Sequence, residues 1–206
     1  MMKCLDIRTG ALFLKIQDQV FGGILDNNGN QHQGSAGILI FFRWFLLQNI
    51  LKNNLLDKYD FFIVSRSDYL YNSNHPMITC NTSPDYIYVP EGEDYHGITD
   101  RHMVASKKNI IAALSIADNF LTSPDKFIEE TKFFNRWNLE CLILWHFNKN
   151  GLNVKRFPRI MYGVRGENDK TRWSEGVYND KIKLIVKYPS EYDLTMASIQ
   201  RSVQEL

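Results

Sequence analysis

The stretch from Asp60 to Asp68 reads DFFIVSRSD and decides how the rest of the chain is interpreted. Its first part, up to Val64, is an apolar run that follows a Leu-Leu-Asp-Lys turn. Such a run predicts a central strand that is covered on both faces of a sheet. Polar residues follow at once, among them Arg66, Ser67 and Asp68. We therefore expect these three at the carboxyl end of the strand, where open α/β sheets bind their ligands.

Predicted strands and helices alternate along most of the chain. Strands are predicted at residues 11–20, 60–64, 86–89, 152–157, 159–164 and 181–186, and helices at 37–52, 106–120, from 123, at 137–150 and from 190. The helix at 37–52 is apolar all round its wheel, so it should be buried on most sides. The alternation predicts an α/β fold with a central, mainly parallel (mixed) β-sheet that is flanked by α-helices.

Length and charge limit the class of protein. With 206 residues, of which 44% are hydrophobic and 23% charged, the chain is expected to fold as one domain over residues 1–206. The sequence leaves open whether this is a whole protein or one module of a longer protein. Twenty-four Lys and Arg against 23 Asp and Glu leave a net charge of +1. That balance argues against a general affinity for nucleic acid or for an anionic membrane.

The cysteines and the apolar segments indicate a cytoplasmic protein. Cys4, Cys80 and Cys141 are odd in number and far apart, which fits neither a disulfide framework nor a zinc site. The most apolar stretch, residues 36–47, is too short to span a bilayer and contains Arg43. No signal-peptide core is recognised near the N-terminus. We expect a cytoplasmic protein without a transmembrane segment.

A second polar cluster lies at residues 98–103, which read ITDRHM. It stands between a predicted strand and a predicted helix, so it should reach the same end of the sheet as Asp68. A carboxylate at that end of the sheet, such as Asp68, can hold a divalent cation against a diphosphate. Arg66 and Ser67 can contact phosphate or sugar oxygens. In the alternative interpretation, Asp68 caps a turn and Arg66 forms a surface ion pair.

Residues 59–69, YDFFIVSRSDY, resemble the strand and DxD metal motif of GT-A glycosyltransferases. The similarity extends to residues 84–90 (PDYIYVP), 97–104 (GITDRHMV), and 138–140 leading into 150–152. Together, these segments resemble a compact chlorovirus-type glycosyltransferase domain. This implies viral glycan synthesis on a capsid glycoprotein, in the host cytoplasm. Arg66 replaces the first acid of DxD, so only Asp68 carries over as a metal-binding carboxylate.

The resemblance implies a hexosyltransferase that uses a UDP-sugar donor, a glycan or glycoprotein acceptor, and Mn²⁺ or Mg²⁺ bound by Asp68. Arg66, Ser67, Asp68, Arg101 and Arg172 are the expected donor-binding residues. Negative charge grows on the diphosphate as the bond to the sugar breaks, and a cation or an arginine stabilises it.

Two carboxylates are the catalytic candidates. Asp100 is expected beside the reacting sugar, either as the base for an acceptor hydroxyl or as a hydrogen-bond acceptor that orients the sugar. Its alternative role is a helix N-terminal cap. Glu140 is the second candidate, although a carboxylate in a first helical turn also suits the helix dipole.

Other functions remain open from the sequence. The main competitor is a non-catalytic nucleotide- or carbohydrate-binding module on the same fold. A more distant one is an assembly protein whose aromatic residues, 13% of the chain, bind a partner. Among the histidines, His146 reads as a core residue, while His96 and His102 are reserve ligands for a metal or a sugar. Trp173 is expected either to stack on a sugar or base or to anchor a loop.

Overall fold

The computed structural model describes residues 36–75, 82–131, 138–169 and 175–204. The strand predicted at 11–20 lies outside these ranges, as do Arg172 and Trp173. The chain divides into two compact units. The first comprises residues 1–60, 95–98 and 107–152, and the second comprises 61–94, 99–106 and 153–206. The prediction of one domain stays a prediction.

The first unit is helical in its described part. Its helices are α1 (Ala36–Lys52), α2 (Ile110–Leu114), α3 (Asp118–Thr122), α4 (Pro124–Thr131) and α5 (Leu139–Lys149), with 3₁₀ turns at Leu55–Asp57 and Ser115–Ala117. The helices predicted at 37–52, from 123 and at 137–150 are confirmed. The helix start predicted at Ser106 is wrong, because Ser106 ends a strand and donates its hydroxyl to the carbonyl of Pro84 over 2.6 Å.

Helix α1 is less covered than its sequence predicts. Ile40 and Ile50 are buried, but Phe41, Phe42 and Phe45 are 47%, 59% and 51% exposed. The prediction of burial on most sides is therefore wrong. An apolar helical wheel shows that every side of the helix tolerates burial. It does not show which sides other elements cover.

The described part of the second unit contains two four-stranded sheets and one long helix. Its elements are β1 (Phe61–Ser65), β2 (Tyr69–Tyr71), β3 (Tyr86–Pro90), β4 (His102–Ser106), β5 (Asn153–Phe157), β6 (Met161–Arg165), β7 (Val177–Asn179), β8 (Leu184–Val186) and α6 (Pro189–Gln204). The strand orders are β1-β4-β3-β5 and β2-β6-β8-β7. The chain is thus a mixed α/β protein.

The sheet is mixed, but it is not mainly parallel as predicted. Strand β4 pairs antiparallel with β1 and β3, and among the described strands only β3 and β5 pair in parallel. Parallel neighbours need a long crossover, usually a helix, whereas β3 and β4 are joined by residues 91–101 with no helix between them. The sequence prediction took residues 98–103 for a loop and so missed β4.

Among the strands that the structure describes, β1 lies at an outer position of its sheet and not at the centre as predicted. Ile63 is 43% exposed, whereas all five residues of the inner strand β4 are buried. The apolar run gives the strand correctly, but its place in the sheet follows from pairing with β4, which lies far away in sequence.

The core of this unit joins both sheets. Tyr88, Val104, Phe157, Ile160 and Met161 form one buried cluster. Helix α6 packs on β6, where the hydroxyl of Thr195 donates to the carbonyl of Met161 over 3.1 Å. In the described part of the chain, no helix has the length and apolarity needed to cross a membrane.

Candidate functional site

The register of the first sheet brings several strand ends side by side at one edge, which here is a row of strand ends and not an outer strand of the sheet. Ser65 at the end of β1 pairs with His102 at the start of β4, and Tyr88 in β3 pairs with Val104 in β4. Three segments therefore meet beyond this edge: the turn at 66–68, residues 99–101 that precede β4, and residues 91–94 that follow β3. The convergence that the sequence predicted for the first two segments is present within this unit.

Asp68 is the centre of a cluster of three charged side chains. Nε and Nη2 of Arg66 donate to Oδ1 and Oδ2 of Asp68 over 2.8 and 2.7 Å. Nζ of Lys187, just beyond β8, donates to Oδ2 of Asp68 over 2.5 Å. All three side chains are partly exposed, at 33% for Arg66, 25% for Asp68 and 17% for Lys187. This Asp68 cluster holds two cations and one carboxylate.

The cluster keeps Asp68 ionised. Partial burial by itself would raise the pKa of Asp68, but hydrogen bonds from Arg66 and Lys187 outweigh it and hold that pKa well below its usual range. The hydrogen bond to Asp68 raises the pKa of Arg66, on which the charges of Asp100 and Arg101 also act. The Asp68 cluster and residues 100–101 therefore share one electrostatic environment.

A second network surrounds Glu191, in the first turn of α6. Its carboxylate is fully buried and accepts hydrogen bonds at Oε1 from Nη1 of Arg101 over 2.6 Å and from Nη1 of Arg159 over 3.3 Å. The hydroxyl of Tyr69 donates to the same oxygen over 3.2 Å, and the backbone N–H of Gly163 donates to Oε2 over 2.8 Å. Glu191 thus fixes the position of Arg101.

Arg101 and Asp100 lie at the border of these two groups. Burial by itself would lower the pKa of Arg101, but the charge of Glu191 raises it, so the guanidinium stays charged. Its carbon Cζ lies 4.0 Å from the ring centre of Tyr188, a cation–π contact. The Asp100 carboxylate lies 3.7 Å from Nε of Arg101, and its side chain is 7% exposed. A strand rather than a helix follows Asp100, so its alternative role as a helix cap is wrong.

The predicted site residues thus divide into two sets. Arg66, Asp68, Asp100 and Arg101 come together in the second unit, and Ser67 is exposed in the turn between Arg66 and Asp68. Glu140 lies in the first unit, in the first turn of α5, where its backbone carbonyl accepts from the N–H of Ile98 over 3.1 Å. Arg172 lies outside the described residues.

Lys187, Arg159 and Glu191 were not predicted from the sequence. Lys187 directly follows the strand predicted at 181–186, so the rule that singled out Asp68 would have found it. Arg159 is the first residue of a predicted strand, where that rule does not apply. Glu191 carries no such signal. A carboxylate in a first helical turn is ordinary, and only the tertiary structure shows that it is buried between two arginines.

A half-buried histidine, His75, and a buried one, His102, form a pair near the strand ends. Nε2 of His75 lies 3.0 Å from Nε2 of His102, whose Nδ1 is 3.0 Å from the hydroxyl of Ser65. His102 is 1% exposed, and burial lowers its pKa to about 3, so the ring is neutral. His146, in the first unit, is the satisfied core residue that the sequence predicted, since its Nδ1 contacts Nδ2 of Asn119 at 2.9 Å.

The expected Mn²⁺ or Mg²⁺ at Asp68 stays a prediction, and the surrounding residues do not fit it. Such an ion takes about six oxygen ligands, usually from one or two carboxylates together with phosphates and water. Both oxygens of Asp68 already accept hydrogen bonds from cations, which would repel a third. Within the four described ranges, no group of three or more His, Cys, Asp or Glu side chains could hold a metal ion.

Comparisons with known families, proteins and structures identify no relative of this chain. The charged residues at the edge of the first sheet are therefore the basis on which a function is proposed. Neither a family model, nor a curated protein, nor a solved structure matches this chain.

Proposed function

We propose that this chain is a glycosyltransferase that moves a hexose from a UDP-sugar to a glycan or glycoprotein acceptor. The observation that carries the proposal is the meeting of the 66–68 turn with residues 99–101 at one edge of the sheet, through the pairing of Ser65 with His102. Two segments far apart in sequence, each resembling part of a GT-A donor site, thereby lie side by side. GT-A identity itself remains part of this proposal.

The charges at this edge suit the reaction. Transfer breaks the bond between the anomeric carbon and the diphosphate oxygen, and the electron pair goes to UDP. Arg66 and Lys187 supply positive charge for that leaving group, since together they exceed the single negative charge of Asp68. Asp100, whose charge acts on Arg66, is the residue that we propose either accepts the proton of the acceptor hydroxyl or orients the sugar.

The test is UDP release from a panel of UDP-sugars, measured with and without Mn²⁺, for the wild type and Asp100→Asn. We expect slow release by the wild type and a loss of about 100-fold or more in Asp100→Asn, which removes the charge and keeps the shape. Asp193→Asn is the matched control, because Asp193 is an exposed carboxylate on α6. Thermal denaturation should show that UDP still stabilises Asp100→Asn.

One result would overturn the role proposed for Asp100, and another would refute the proposed function. Equal UDP release by the wild type and Asp100→Asn would remove Asp100 from the chemistry. Stabilisation by UDP without release from any UDP-sugar, with or without Mn²⁺, would instead support the non-catalytic binding module.

A further inference from the structure

The Asp68 cluster is held rigidly by backbone hydrogen bonds to β6. The N–H of Val164 donates to the carbonyl of Asp68 over 2.9 Å, and the N–H of Lys187 donates to the carbonyl of Gly163 over 2.9 Å. Adjacent residues of one strand therefore position the two partners. The contact of Lys187 with Asp68 therefore follows from the hydrogen bonds of both backbones to β6.

The donors of this cluster exceed what Asp68 uses. The Lys187 ammonium has three N–H donors, of which one points to Oδ2 of Asp68. The Arg66 guanidinium has five, of which two are directed at the same carboxylate. The remaining donors sit on partly exposed groups, so phosphate oxygens can reach them from solvent.

We propose that Lys187 and Arg66, oriented by Asp68, bind the diphosphate of the donor in place of a divalent metal ion. This inference rests on the proposed glycosyl transfer and specifies how its leaving group is stabilised. The cluster carries two positive charges against one negative charge, so it attracts an anion without a bound metal. Asp68 then acts as a positioning residue for two cations and not as a metal ligand.

The bonds, the electron pair and the proton of the transfer step are all accounted for without a metal ion. The acceptor oxygen forms a bond to the anomeric carbon as the bond from that carbon to the diphosphate breaks. The electron pair of the broken bond stays on UDP, and its added negative charge is met by N–H donors of Lys187 and Arg66. The acceptor proton leaves to a base at the same edge, the role proposed for Asp100.

The experiment measures binding of inorganic pyrophosphate and of UDP by calorimetry in EDTA, with UDP release measured in the same buffer. The wild type is expected to bind both probes and to release UDP from its donor as fast in EDTA as with Mn²⁺. Lys187→Met should weaken binding of both probes about tenfold or more, because a charge-assisted contact is lost. Lys181→Met is the matched control, since Lys181 is an exposed lysine on the same segment, and it should bind like the wild type.

The outcomes separate this inference from the proposed function. Binding and turnover that occur with Mn²⁺ and vanish in EDTA would overturn the inference while supporting the glycosyltransferase, even if Lys187→Met failed to fold. Unchanged pyrophosphate binding in Lys187→Met would also overturn it. Metal-free pyrophosphate binding that depends on Lys187, without turnover of any UDP-sugar, would support the anion site and refute sugar transfer.

Discussion

Nη1 of Arg101 lies 2.6 Å from Oε1 of Glu191, a carboxylate with no exposed surface. This contact ties the polar segment before β4 to the first turn of α6, from a distance of 90 residues in sequence. Nη1 of Arg159 donates to the same oxygen, so the buried negative charge of Glu191 contacts two buried positive charges. The shape of the proposed donor site therefore depends on a residue outside it.

Glu191→Gln should destabilise the protein strongly. The substitution keeps the size of the side chain but removes the carboxylate charge that the buried Arg101 and Arg159 contact most closely, which we expect to cost about 3–5 kcal/mol. Urea unfolding measures the change. Asp193→Asn, an exposed carboxylate on the same helix, should change the free energy of unfolding little, and equal losses in both variants would contradict the role given to Glu191.

The pairing of His102 with His75 should make stability depend on pH. Burial lowers the pKa of His102 to about 3 in the folded state, whereas the unfolded chain binds a proton near pH 6.5. Stability is thus fully present above about pH 6.5 and falls toward acid, with a slope of up to about 1.4 kcal/mol per pH unit for this one proton. Burial also lowers the pKa of His75 and His146, which add to the same trend.

The measurement is urea unfolding between about pH 7.5 and about pH 5, for the wild type and for His102→Gln. The variant should lose a substantial part of the slope, whatever its stability at neutral pH. An unchanged slope would show that His102 takes up its proton in both states.

Gly97→Ala should disturb the start of α5. A β-carbon on Gly97 would lie 2.1 Å from the backbone carbonyl carbon of Glu140, so the loop or the helix would have to move. We expect a loss of more than about 3 kcal/mol in urea unfolding, as for a severe steric clash. Gly151→Ala is the comparison, because Gly151 has a φ of +63° but no atom within 4 Å of the added carbon. It should cost only about 1–2 kcal/mol, the penalty for a β-carbon in the left-handed conformation.

The sequence predicted the elements of this protein better than their arrangement. Local patterns gave α1, α5, β3 and β5 nearly to the residue, because periodicity and flanking turn residues fix them. Strand direction is a long-range property. Whether β4 runs parallel or antiparallel to β1 depends on a path through intervening residues that no local pattern records.

The candidate site shows the same limit. Asp68 was predicted because it follows a strand, and Asp100 because it lies in a polar cluster between a predicted strand and a predicted helix. The structure brings their segments together. The sequence did not predict all the side chains that form hydrogen bonds with Asp68. Lys187 lies 119 positions away, and only the pairing of β6 with β8 brings it to the turn.

The most direct test of the central claim is a crystal structure of the protein with UDP bound. We expect the diphosphate at the turn of residues 66–68, with phosphate oxygens within hydrogen-bond distance of Nζ of Lys187 and the Arg66 guanidinium. Density for UDP at another place on the chain, with the contacts of Asp68 unchanged, would contradict it.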